Sequence, residues 1–515
     1  MRVRTRFAPS PTGPLHMGGV RTALYNYLFA KKNGGDFLLR IEDTDRNRFV
    51  HGAEEYIVEA LQWCGIKIDE GVSVGGPFEP YRQSERKELG IYKEYALQLV
   101  DSGHAYYAFD TAEELEDMRK RLTDLGNHTP TYNHETRPSM FNSLTLSEEE
   151  TKSRIESGLP YVIRLKVDAG QTITFIDMIR GEVSFQSDIV DDKVLLKSDG
   201  MPTYHLAHIV DDVLMEITHA IRGEEWLPSA PAHILIYRYL GWENRMPRYA
   251  HLPLLLKPEG NGKLSKRDGD RLGFPVFPLQ WTDPETGETS SGYREKGYYP
   301  EAFVNMLAFL GWNPGDEKEL FELNELVEAF SIEHVHKAGA RFDPDKAKWF
   351  NEQYLRKQSN ESISYRIKPV ISSLFNIPEQ DYRLNLSYLS HAVELLKDRV
   401  QFEEEMPATG KYLFVMPELY DEGVIQKKWR PELIHFFDEL GKHFSSCAPF
   451  QKSEIDLAIK TCASNHGIKP GEIMQLLRVF ISGQGGGVDL LGMLQLLGCQ
   501  EVCTRLEKAL RPLRA

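Results

Sequence analysis

The chain of 515 residues is short of cysteine, has no long apolar run and carries no surplus of positive charge. Its five cysteines, Cys64, Cys447, Cys462, Cys499 and Cys503, are an odd number thinly spread. They argue against a disulfide framework and for a reducing, cytoplasmic compartment. The longest apolar runs, Leu252 to Leu256 and Phe303 to Trp312, fall well below the roughly eighteen residues a membrane helix needs. Met1-Arg2-Val3-Arg4-Thr5-Arg6 has no apolar core behind its charges, so no secretory signal is expected. With 61 basic against 76 acidic residues the formal charge is −15. That excludes sequence-independent packaging of nucleic acid, though not a local basic strip that meets a shaped RNA. GxGxxG and the P-loop pattern are both missing, as are internal repeats and long low-complexity tracts.

A composition of 41% hydrophobic and 27% charged residues is that of an ordinary globular protein, and the length implies several domains. Arg2, Arg4 and Arg6 alternate with Val3, Thr5 and Phe7 in an opening strand, which Pro9, Pro11, Gly13 and Pro14 end. Val20, Leu24, Tyr27 and Leu28 fall at helical spacing, with Lys31 and Lys32 in the last turn and Gly34 beyond it. Phe37 to Ile41 reads as the next strand. Strand, helix and strand make a βαβ unit with a right-handed crossover. Between about Tyr106 and Ser198 the pattern turns irregular, as an inserted domain would. Ala220-Ile221-Arg222 ends a further strand, and Ser229 and Pro231 start a helix that Gly241 stops. From Leu320 the spacing is almost entirely helical: Leu320 to Phe330, Asp345 to Leu355, Tyr388 to Val400, Glu454 to Ala463, Ile473 to Phe480 and Leu490 to Leu497. Asp489 is a good N-cap for the last of these.

Several clusters could carry chemistry. Pro14-Leu15-His16-Met17-Gly18-Gly19 sits where a parallel strand turns into a helix, whose N-terminus favours a phosphate. Gly18 and Gly19 would let a nucleotide lie close to the backbone; alone, the segment reads equally well as a tight turn. Lys263-Leu264-Ser265-Lys266-Arg267, in a Gly-rich loop, suits a clamp on developing phosphate charge, or is a solvated basic loop. Glu42, Asp43 and Asp45 follow the second strand and could hold an ammonium group or a magnesium ion, or only cap a helix. Tyr204-His205 with Asp211-Asp212 precedes Arg222-Gly223-Glu224-Glu225-Trp226, where a strand-end arginine fits a carboxylate bidentately.

Taken together these motifs resemble a known family. Arg6-Phe7-Ala8-Pro9-Ser10-Pro11-Thr12-Gly13 with His16-Met17-Gly18 is similar to the first signature of class I aminoacyl-tRNA synthetases, and Lys263-Leu264-Ser265-Lys266 is similar to the second. Arg40 to Asp45, Ser198 to Ala207 and Ile221 to Trp226 narrow the resemblance to the glutamyl-tRNA synthetases, over essentially the whole chain. It implies an α/β Rossmann-type parallel-sheet catalytic domain in two parts, 1–105 and 201–318, split by an α+β acceptor-end-binding insertion at 106–200. A helical stem-contact region, 319–378, and an all-α anticodon-binding domain, 379–515, would follow. It implies that ATP activates glutamate, which is then transferred to tRNA. Arg6, Ala8, Ser10, Glu42, Tyr204 and Arg222 would hold the amino acid, with Arg6 and Arg222 on its side-chain carboxylate and Glu42 on its α-ammonium. His16, Gly18, Glu225, Trp226, Leu264, Ser265, Lys266 and Arg267 would hold ATP and its magnesium; His16, Lys263 and Lys266 would be catalytic. Arg399 would read the last anticodon base. The partner is tRNA(Glu), and a monomer is the family default. Enzymes that charge only glutamate tRNA and those that also charge glutamine tRNA fit the motifs alike.

The sequence departs from the family in places. Many relatives bind zinc in the insertion, but His104 to Phe109 and Tyr132 to Arg137 contain no cysteine, so no zinc is expected. Cys499 and Cys503, at i and i+4, read as core. His208 stands where relatives usually have asparagine. Gly273 to Gly297 reads as an extra segment placed to restrain the Lys263–Arg267 loop. No editing domain is expected, because a site that reads a charged group rejects its neutral analogue by about 10⁴ or more.

Overall fold

A computed structural model of the chain describes residues 2–260, 262–265, 268–269, 271 and 273–514. It divides into two compact units, Met1–Ala347 and Lys348–Ala515. The strands that organise the first unit are β1 (Arg4–Phe7), β2 (Asp36–Leu39), β3 (Glu70–Gly71), β4 (Ala105–Ala108), β5 (Val162–Leu165), β6 (Thr172–Asp177), β7 (Gly181–Gln186), β8 (Val194–Leu196), β9 (His219–Gly223) and β10 (Arg248–Leu252).

Seven of them form one sheet in the order β3-β2-β1-β9-β10-β6-β7, parallel except for the β6–β7 hairpin at one edge. The order runs outward from β1 in one direction and from β9 in the other, so their junction is a topological switch point. In open α/β sheets that is where a cleft opens at the carboxyl ends of the strands. The expected βαβ opening is present, with the helix Met17–Lys32 between β1 and β2. All four residues of β1 are buried. The arginine side of the strand is therefore not solvated, and each buried guanidinium has carboxylate partners: Arg4 pairs with Asp36 and Glu70, and Arg6 with Asp212.

The irregular stretch expected to be an insertion is divided. The β4-β5-β8 antiparallel sheet stands apart from the main sheet, with a small core of Tyr106, Ala108, Met118, Tyr132 and Met140. The hairpin Thr172–Gln186, by contrast, extends the catalytic sheet through the pairing of Asp177 with Tyr249.

The second unit is all helix: Asn360–Phe375, Leu386–Leu396, Leu433–Ser446, Lys452–Asn465, Pro470–Ser482 and Leu490–Leu510 are its longest elements. Phe436, Phe437, Leu440, Ile473, Leu477 and Phe480 fill its core. Asp489 accepts from the backbone N–H of Gly492 at 2.9 Å, as its N-cap role requires. The helix expected to end at Leu497 meets Gly498, whose φ of +79° breaks the run before it resumes to Leu510. Cys499 and Cys503 are half-buried against the carbonyls of Phe444 and Gly441. Among the described residues no helix is long and apolar enough to cross a membrane.

Candidate active site

A cleft of about 780 Å³ opens at the switch point. Arg6, Ala8, Ser10, His16, Gly18, Glu42, Tyr204, Arg222, Glu225, Trp226, Lys263, Leu264 and Ser265 all line it, so residues from five separate motifs meet in one place. Lys266 and Arg267 lie outside the described residues. Arg399 is exposed in the second unit, at the end of a single turn that follows the helix Leu386–Leu396.

One end of the cleft is a buried charge network. Arg6 donates through Nε and Nη2 to the two carboxylate oxygens of Asp212, at 3.2 and 3.0 Å. Arg40 bridges Asp212 and Glu42, both at 2.8 Å. Burial alone would raise the pKa values of Glu42 and Asp212. For Glu42 the His208 N–H and Arg40 outweigh burial, and for Asp212 Arg6 and Arg40 do, so both carboxylates stay ionised. The helix Tyr204–Leu214 explains the spacing of these residues. Residues 204, 208, 211 and 212 recur at three- and four-residue steps and project from one face.

Arg222, at the end of β9, is held differently. Nε donates to His251 Nε2 at 3.0 Å. Nη1 donates to the Tyr204 hydroxyl at 3.1 Å and lies 3.4 Å from His208 Nε2 and from His233 Nδ1. Nη2 is buried and has no hydrogen-bond partner. An arginine nitrogen only donates, so each facing histidine nitrogen must present a lone pair. That places the proton of His208 on Nδ1, towards Glu42 Oε1 at 3.4 Å, and that of His233 on Nε2, towards His205 Nδ1 at 3.2 Å. Burial, the largest cause, lowers the pKa of all three histidines and keeps them neutral. Arg222 is thus a buried cation whose hydrogen-bond partners are all neutral.

At the other end, His16 caps the helix Met17–Lys32, its Nδ1 accepting from the Gly18 N–H at 3.0 Å. Burial and Lys263 lower its pKa. The neutral ring then carries its proton on Nε2, a donor available to a phosphate. Gly18 is required for this arrangement, because a Cβ there would lie 2.8 Å from Cε1 of the ring. At Gly19 a Cβ would lie 2.4 Å from Leu15. The glycines make room for their neighbours' side chains as well as for any ligand. Lys263 pairs with Glu225 at 3.0 Å. Trp226 packs at 4.5 Å on the Tyr204 ring and forms a partly exposed wall.

Residues 273–297 reach the cleft through Val276 and Phe277, and the Val276 carbonyl accepts from the Met17 N–H at 2.8 Å. The segment is anchored on Tyr56, which meets Trp281 edge to face and donates its hydroxyl to Leu279 O at 2.6 Å. It therefore braces the start of the helix Met17–Lys32. In the insertion His104 is stacked at 3.9 Å on Tyr239. Among the described residues one group of three side chains has metal-ligand spacing, Glu439, His443 and Cys462 in the second unit. Its Glu439 already accepts from Asn465 and meets His466.

Sequence reasoning missed Asp177, His233 and His251. Each lies outside the motifs: strand order brings His251 to Arg222 and Asp177 to His251, and the helix Ala230–Tyr239 brings His233. The parallel alternation of β9 and β10 sets His251 directly opposite Arg222.

The comparisons agree with this geometry. Residues 2–349 match a family model described as tRNA synthetases class I (E and Q), catalytic domain, and residues 363–510 match one described as anticodon binding domain. The chain is 52% identical over 510 residues to a glutamate–tRNA ligase of Cytophaga hutchinsonii, covering 99% of this chain and 97% of that one. A glutamate–tRNA ligase of Parabacteroides distasonis is also 52% identical, over 100% of this chain and 99% of its own. A crystal structure of a glutamate–tRNA ligase from Elizabethkingia meningosepticum in complex with its amino acid superposes with a TM-score of 0.92 at 49% identity, each chain covered to 99%.

Proposed function

The chain belongs to the class I glutamate–tRNA ligases, enzymes that join glutamate to transfer RNA, and on that footing we propose which residues do the work. Arg222 reads the side-chain carboxylate of glutamate. Arg6, held by Asp212, and Tyr204 flank it, with Ala8 and Ser10 at the end of β1. Glu42 takes the α-ammonium. The observation that carries this reading is the buried, unpartnered Nη2 of Arg222, on a guanidinium whose hydrogen-bond partners are all uncharged. A carboxylate satisfies both the donor and the charge, whereas the amide of glutamine satisfies only the donor. Discrimination at activation needs no editing site.

ATP lies along the other end, its phosphates at the Nε2–H of His16 and at Gly18, its remaining contacts from Glu225, Trp226, Leu264 and Ser265. Lys263, Lys266 and Arg267 belong to the same loop. The α-carboxylate of glutamate attacks the α-phosphate, forming glutamyl-adenylate and releasing diphosphate. The terminal ribose hydroxyl of tRNA(Glu) then attacks the carbonyl carbon and AMP leaves. No protein nucleophile is needed: position and electrostatics supply the rate. Magnesium carried on the nucleotide neutralises charge on the departing diphosphate. The anticodon is read in the second unit, where exposed Arg399 contacts the last anticodon base.

The test is charging of labelled glutamate and glutamine onto glutamate and glutamine tRNAs, with Arg222→Leu beside the native chain. Arg222→Leu is expected to raise KM for glutamate by about 10² or more with KM for ATP unchanged. An unchanged glutamate KM would remove Arg222 from the pocket. Charging of glutamine tRNA with glutamate would mean that the second unit reads the anticodon loosely.

A further inference from the structure

Arg222 is a buried cation whose orientation rests on neutral acceptors, and among the described residues no carboxylate comes within ion-pair distance of it. A guanidinium with one nitrogen left for a ligand is useful only if that nitrogen is turned the right way. Three neighbouring strands bear on this. In β9 Arg222 lies opposite His251 of β10, and in β6 Asp177 lies opposite Tyr249. The Tyr249 ring lies 4.9 Å beneath the guanidinium and is stacked on His251. His251 Nδ1 lies 2.6 Å from Asp177 Oδ2, and both side chains are fully buried. Asp177 also accepts from the backbone N–H groups of Ile179, Arg180 and His251, so its carboxylate cannot turn away.

We propose that Asp177 and His251 are a positioning pair: Asp177 holds the proton of His251 on Nδ1, so that Nε2 accepts from Arg222 Nε and keeps Nη2 for the substrate carboxylate. This rests on the reading of Arg222 as the carboxylate-binding residue. Neither residue touches substrate; they act through Arg222. The pair lies away from the nucleotide end of the cleft, and half of it belongs to the hairpin Thr172–Gln186. It sharpens preference for a carboxylate because it orients the cation without neutralising it.

The chemistry makes a distinctive prediction. In Asp177→Asn the amide oxygen takes over the backbone donors of Ile179 and Arg180, which leaves an N–H donor facing His251 Nδ1. The imidazole must then move its proton to Nε2, where it opposes the N–H of Arg222. The damage is conditional on the histidine. His251→Gln offers Arg222 an amide oxygen and Asp177 an amide N–H, and so keeps both bonds of the native pair. His251→Phe removes the acceptor outright, so Asp177→Asn adds no further loss in that background.

The experiment measures steady-state charging with glutamate varied, for Asp177→Asn, His251→Phe, His251→Gln, the double variant Asp177→Asn/His251→Phe and Arg222→Leu, with thermal melts alongside. Asp177→Asn and His251→Phe are expected to raise the glutamate KM at least tenfold, with KM for ATP and tRNA within twofold. His251→Gln is expected to stay within threefold of the native value, and the double variant to match His251→Phe. Losses that multiply in the double variant would overturn the pair, since a merely structural role for Asp177 would act whatever stands at 251. So would an unchanged glutamate KM in both Asp177→Asn and His251→Phe. If instead Arg222→Leu leaves the glutamate KM unchanged, it is the reading of Arg222 that falls. Should Asp177→Asn not fold, the contrast between His251→Phe and His251→Gln decides alone: equal losses overturn the pair.

Discussion

At the scale of single residues, His16 does two jobs with two nitrogens, and they can be separated. Nδ1 caps a helix while Nε2–H remains for phosphate. His16→Asn keeps a cap, worth about 1 kcal/mol, and its shorter amide carries no donor out to the position of Nε2–H. It is expected to melt within a few degrees of the native chain while kcat for adenylate formation falls by about 10² or more. His16→Ala should match it in kcat and melt lower. Gly18→Ala, which removes no functional group, should also cost about tenfold or more in kcat, because its Cβ would displace the ring. Diphosphate exchange at saturating glutamate checks all three; a Gly18→Ala enzyme with native kcat would show that the ring tolerates displacement. The motif carried His16 and Gly18 plainly in the sequence, but not why the glycine is there. Equally legible were Arg6, Glu42 and Arg222. What supports them was not: Asp212 was visible only as an acidic pair, and His251 and Asp177 lie far from Arg222 in sequence, joined to it by pairing across β6, β10 and β9.

At the scale of elements, the described residues of the Lys263 loop are held by backbone contacts and by distant side chains, Glu225 on Lys263 and Arg341 on the base of the loop. Leu264 donates to the Leu255 carbonyl at 2.8 Å, and Lys257 to that of Gly262 at 3.0 Å. Arg341 Nη1 donates to the carbonyls of Lys257, Pro258 and Gly260, at 2.9, 3.1 and 2.9 Å. That single exposed cation ties the base of the loop to the short strand Ala340–Arg341, which pairs with Leu255–Leu256. Arg341→Met is therefore expected to slow adenylate formation by about tenfold with the glutamate KM unchanged, and to shift Tm by no more than about 4 °C. A native rate in that variant would show that the backbone bonds alone hold the loop. Apolar periodicity located Leu386–Leu396, Lys452–Asn465, Pro470–Ser482 and the first part of Leu490–Leu510 in the second unit, and it missed Asn360–Phe375 and Leu433–Ser446. It passed over Tyr204–Leu214, although Leu206, Ile209, Val210 and Val213 fall at helical spacing there, interleaved with imidazole and carboxylate groups. The β6–β7 hairpin was not singled out within the irregular stretch, and nothing local says which sheet it joins; that is settled by the pairing of Asp177 with Tyr249.

For the whole molecule, the buried histidines predict how stability depends on pH. His205 and His219 have their pKa values lowered by burial to about 4, and His208, His233 and His251 are lowered as well. A histidine lowered on folding takes up a proton more readily in the unfolded chain. Its contribution is therefore complete above the ordinary value near 6.5 and is lost as pH falls towards the folded value. For His205 and His219 the loss at pH 5 is about 2 kcal/mol each. The carboxylates enter later. Glu42, Asp177 and Asp212 would be raised by burial but are held low by their partners, so they add to the loss only below their unfolded values, near pH 4. Asp110 and Asp192, raised by burial, act in the opposite sense, and their effect sets in earlier, as pH falls through their raised values. Between pH 7.5 and 5 the histidines decide, and all five lie in Met1–Ala347. Hydrogen exchange read by mass spectrometry at pH 7.5 and 5, corrected for intrinsic rates, is expected to show protection falling across the parallel sheet while the helices of Lys348–Ala515 keep theirs. Glutamate should oppose that fall, because a ligand that binds only the folded chain stabilises it. Equal loss of protection in both units would mean that the buried histidines do not set the acid limit.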